Sequence, residues 1–98
     1  MLPQTVESCE QLIGVFDKSL VSLASLEASG DPAVAFRYDV SRGLLEDAIG
    51  LYRRLVQSNQ HANSDLDRLY IAIARRVADF EVRTAMSVDP DGYFARKS

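Results

Sequence analysis

A chain of 98 residues, 47% apolar and 26% charged, suits one small globular domain and is too short for a barrel or a doubly wound sheet. Eleven basic against fourteen acidic residues leave a formal charge of −3, which argues against a nucleic-acid binder or a protein held on an anionic membrane. The single cysteine, Cys9, rules out an internal disulfide.

Met1-Leu2-Pro3-Gln4 lacks the basic and apolar regions of a signal peptide, and no run nears the roughly 18 apolar residues of a membrane span. The expectation is a cytoplasmic chain. Its arginine-rich basic set, nine Arg to two Lys, suggests a GC-rich bacterial source.

The first helix is expected over about 5–29. Val6, Cys9, Ile13, Phe16, Leu20 and Leu23 recur at alternating spacings of three and four, one apolar seam of the a/d kind. Pro3 and Thr5 mark its start, and Glu7 and Glu10 favour the positive end of the helix dipole. Ser29-Gly30-Asp31-Pro32 stops it: Gly30 can turn left-handed, Asp31 can cap the next helix, and Pro32 suits that helix's first turn.

The second helix is expected over 32–58, with a stripe of Val34, Tyr38, Ser41, Leu45, Ala48, Tyr52 and Leu55. Residues 57–64 are polar and read as the second connection, with Ser64 as N-cap of a third helix over 65–87. That helix carries Leu66, Tyr70, Ile73, Val77 and Phe80 on its seam. Pro90 and Gly92 end helical structure and leave a short C-terminal tail. The expected architecture is all-α, an antiparallel up-down-up three-helix bundle over residues 1–88, followed by the turn and tail of 89–98.

Nothing in the chain assembles a catalytic, cofactor or metal site. His61 stands alone in the connection, and one histidine with one cysteine cannot supply three or four zinc ligands. Ser87-Val88-Asp89-Pro90-Asp91-Gly92 resembles the start of a calcium loop, but position twelve is Ser98 rather than glutamate. Cys9 lies on the apolar seam, where a thiol behaves as a small hydrophobe. No glycine-rich phosphate cradle occurs.

Two features go beyond one narrow apolar seam, although a helix that touches two neighbours also needs a wide apolar face. Val40, Leu44 and Leu51 on the second helix, and Ile71, Ala78, Val82 and Ala85 on the third, form secondary apolar stripes. Together with Tyr93 and Phe94 of the tail they are candidate partner contacts. Arg53, Arg54, Arg75 and Arg76 are candidate anion or partner charge contacts, although Arg42–Glu46, Arg75–Asp79 and Asp79–Arg83 have the spacing of surface pairs within a helix. All the net charge falls in residues 1–30, where four acids face one lysine, and it can be matched inside the bundle or by another chain. Gly14, Gly43 and Gly50, inside helices, are candidates for close helix approach at about 1 kcal/mol each.

The functional expectation is a non-catalytic protein–protein interaction module, a bacterial adaptor, chaperone or regulatory or immunity-type protein that self-associates or binds a partner helix. It implies a protein partner and no cofactor, metal, membrane or nucleic acid. The competing expectation is a bundle or small enzyme binding an anionic small molecule through arginines and Tyr38, Tyr52 or Tyr70.

Overall fold

A computed structural model describes residues 5–58 and 63–84 of the chain. Three helices fill these segments: α1 (Val6–Ser29), α2 (Val34–Ser58) and α3 (Asn63–Thr84). The tail with Tyr93 and Phe94, the calcium-like turn, Ala85, His61 and the expected stretch of the third helix to residue 87 lie outside the described residues.

The helix ends are set by local chemistry. Thr5, in extended backbone, accepts the Ser8 N–H on its Oγ1 at 3.0 Å, which satisfies one of the orphan donors of the first turn. At the other end Gly30 takes φ 68° and ψ 26°, a left-handed conformation that a Cβ would strain. The Gly30 N–H then reaches the Glu27 carbonyl at 3.2 Å and the Asp31 N–H that of Leu26 at 3.0 Å, a Schellman closure. Asp31 Oδ1 accepts the Ala33 N–H at 2.9 Å. Pro32 and Ala33 form a turn, so regular helix starts at Val34, two residues later than expected. Helix α3 begins at Asn63, which places Ser64 inside it instead of at its cap.

The seam of α1 is as its spacing predicts: Cys9, Ile13, Phe16 and Leu23 are buried, with Val6 and Leu20 packed against them. From α2 come Ser41, Leu45, Ala48 and Leu55, joined by Ile49 and Leu51. Leu51 is a core residue, 3% exposed, so the secondary stripe of α2 is drawn into the bundle there; Leu44 packs on the core and Val40 is half-buried. On α3 the seam runs through Leu66, Leu69, Ile73, Val77 and Phe80. Tyr70 is displaced from it: Leu69 is 1% exposed and Tyr70 60%. The Tyr70 ring leans on Tyr52 at 6.1 Å between centroids, tilted by 45°.

Direction is read from pairs across the helices. Cys9 Sγ donates to the Ala48 carbonyl at 3.5 Å and the Ser19 and Ser41 hydroxyls meet at 2.7 Å, so α1 and α2 are antiparallel. Arg68–Glu10, Arg76–Asp17 and Arg83–Glu27 advance together along α3 and α1, which makes those two parallel. The chain is an up-down-up three-helix bundle. Phe16 and Phe80, both 0% exposed, close the α1–α3 side edge to face at 5.8 Å.

The interior glycines do not serve close approach. A Cβ at Gly14 or Gly43 would meet nothing within 4 Å, and at Gly50 only the Arg54 guanidinium at 3.8 Å.

A candidate docking face on α3

The acidic surplus of α1 is consumed inside the bundle. Arg76 forks onto Asp17, with Nε and Nη2 donating to the two carboxylate oxygens at 2.9 and 2.8 Å, while its Nη1 donates to the Ala72 carbonyl. The aspartate fork keeps this guanidinium even more firmly protonated than an ordinary arginine. Arg83 donates to Glu27 at 2.7 Å, and the Tyr38 hydroxyl donates to the other oxygen of that carboxylate at 2.5 Å. Glu27 thus ties all three helices at one end. Arg68 lies 3.7 Å from Glu10 and 3.4 Å from Asp65, a looser sharing. Two of the expected pairs are replaced: Arg42 bonds Asp39, still within α2, at 3.3 Å, and Arg83 turns to α1 rather than to Asp79. Carboxylates of α1 stand beside α3 and offer paired geometry that a flexible i,i+4 contact on one helix does not.

The thiol and hydroxyl groups of the core are engaged within it. Cys9 is fully buried, and desolvation, with the Glu10 charge second, pushes its thiol up to about 11. A thiol so protonated is a poor nucleophile. Ser19 and Ser41 satisfy each other. Among the described residues two buried side-chain polar atoms have no hydrogen-bond partner, Arg37 Nε and Glu46 Oε2. They lie nine positions apart on α2, about 14 Å along its axis, and form no common site. Among the described residues no group of three or more His, Cys, Asp or Glu side chains is placed to hold a metal, and no helix is long and apolar enough to cross a membrane.

The other face of α3 is different. Ile71 is 50% exposed, Val82 87%, and Ala78 between them is also exposed. At 100° per residue these three point away from the Leu69–Ile73–Phe80 seam, on the opposite side of the helix. A helix docked on one neighbouring pair needs a single apolar stripe; α3 carries two. Beside the outer stripe an open concavity of about 500 Å³ is lined by Ser64, Asp67, Arg68, Ile71, Ala72, Arg75 and Arg76.

Of the residues singled out in the sequence, Ile71, Val82 and Arg75 therefore share one exposed face, and Arg76 flanks it while bound to Asp17. Arg53 and Arg54 sit on α2, half-buried and exposed respectively, and do not join it. Sequence reasoning missed the Asp17–Arg76 fork and the Glu27 junction, because spacing along one helix says nothing of which carboxylate stands opposite on another. Comparison with protein-family models, with curated proteins and with solved structures finds no match for this chain.

Proposed function

We propose that the protein is a non-catalytic helical interaction module, of the adaptor or regulatory kind, that offers the outer face of α3 to another protein. One observation carries this reading: the stripe of Ile71, Ala78 and Val82 lies opposite the helix's own core seam and is exposed along about 16 Å of helix. Apolar side chains so arranged gain nothing from the bundle, whereas covering them on a partner removes them from water.

An anionic small ligand in the neighbouring concavity is the weaker reading. Of the three guanidiniums lining it, Arg76 is already forked onto Asp17 and Arg68 is shared by Glu10 and Asp65. Arg75 alone would have to hold the charge.

The test contrasts face with core. Ile71→Asp and Val82→Asp should leave helicity and thermal stability within about 0.5 kcal/mol of the parent, as surface changes do, yet abolish association in sedimentation and cross-linking. Leu51→Asp should unfold the bundle, since it buries a carboxylate without a partner. Association that survives both face substitutions refutes the reading.

A further inference from the structure

We infer that the outer face of α3 receives α3 of a second copy of this chain, laid antiparallel; the inference rests on the interaction-module reading and names its partner. Arg68, Ile71, Arg75, Ala78 and Val82 follow one another at spacings of three, four, three and four, the repeat of a two-stranded coiled-coil seam, and all five are exposed. The stripe can meet a copy of itself in two directions. Parallel pairing stacks Arg68 on Arg68 and Arg75 on Arg75, and like charges at the seam are repelled.

Antiparallel pairing removes both clashes. Setting Ile71 against Val82 of the second copy puts Arg75 opposite Ala78, a long side chain over a methyl group. Asp79 follows Ala78 by one residue, so the Arg75 guanidinium lies within reach of that carboxylate across the contact. The two-fold axis repeats each contact, and such an interface closes on itself without building a fibre. The charges it would use are not spent at home. Arg75 and Asp79 are exposed four positions apart on α3, and no ion pair joins them or takes either one among the described residues; the Asp79 charge is felt by Arg76, which is held by Asp17. Three turns of helix cover less than the roughly 1,600 Å² of a standard interface, so the expected dimer is weak and reversible.

Sedimentation equilibrium over a concentration series tests this with the full chain. The parent should pass from monomer to dimer as concentration rises. Arg75→Glu and Asp79→Arg, each placing like charges across the two-fold, should each weaken the dimer on the order of tenfold or more. An equimolar mixture of those two variants should recover the parent's association, because each then supplies the charge the other has lost. Circular dichroism of each variant should match the parent, since both sites are exposed. A parent that stays monomeric up to millimolar concentration, or a mixture that fails to recover, overturns the second copy as occupant. If in that case Ile71→Asp and Val82→Asp still destroy a complex with a different protein, the interaction-module reading stands without this inference. If they destroy none, both fall.

Discussion

The Asp17–Arg76 fork should show a measurable coupling. Its two hydrogen bonds, 2.9 and 2.8 Å, hold an arginine side chain 28% exposed to an aspartate 47% exposed. Bidentate geometry raises such a pair above the surface norm, while half-exposure keeps it far below a buried one, so about 1 kcal/mol is expected. Arg68–Glu10, at 3.7 Å with both side chains more than half exposed, should contribute about 0–0.3 kcal/mol. Arg76→Ala alone would overstate the fork, because it also removes the bond to the Ala72 carbonyl and the packing of the arginine stem. A double-mutant cycle isolates the pair: urea unfolding of the parent, Asp17→Ala, Arg76→Ala and the double variant, repeated for Glu10 and Arg68. For a domain of this size 1 kcal/mol corresponds to about 4–8 °C in Tm, well within reach of calorimetry. A coupling at Asp17–Arg76 no larger than that at Glu10–Arg68 would refute the view that bidentate geometry sets this fork above a loose surface pair.

Gly14→Ala and Gly43→Ala should each stabilise the bundle by about 1 kcal/mol in urea unfolding, because the added methyl meets open space and alanine is the better helix former; a loss of stability at either site contradicts that geometry. The Glu27 junction should give both limbs of the stability profile a dependence on pH. The Tyr38 hydroxyl, then Arg83, hold the Glu27 carboxyl below its ordinary value, so its contribution is complete above about 4.5 and is lost as pH falls through the lower folded value. Tyr38 is raised by donating to that carboxylate, so its contribution is complete below about 10 and fades as pH rises further. Thermal melts of Glu27→Gln against the parent in acid, and of Tyr38→Phe in alkali, should show flatter limbs; parallel curves would contradict the junction.

The bundle was legible because its signals are local. Thr5, the Ser29-Gly30-Asp31-Pro32 stop and the three-four alternation each act within one turn or two, and the bounds they predict for α1 and for the start of α2 lie within two residues of those found. What escaped depends on how far around each helix its neighbours reach. Leu69 and Tyr70 flank the same seam, and only the placement of α2 decides that the leucine goes in and the tyrosine leans on Tyr52. The same uncertainty governed the secondary stripes: α2 loses Leu51 to the core, while α3 keeps Ile71 and Val82 outside. Charge behaved likewise. The acids of α1 were visible as a surplus, but their match with Arg68, Arg76 and Arg83 needed the third dimension.

Ser19 and Ser41 act as an alignment key. Their buried hydroxyls meet at 2.7 Å between two long rods. Sliding one rod past the other by a turn would press each oxygen against hydrocarbon, a penalty of about 1–3 kcal/mol for each stranded group, whereas leucine in both places would tolerate several offsets. Two small hydroxyls thereby disfavour neighbouring offsets that purely greasy packing would allow.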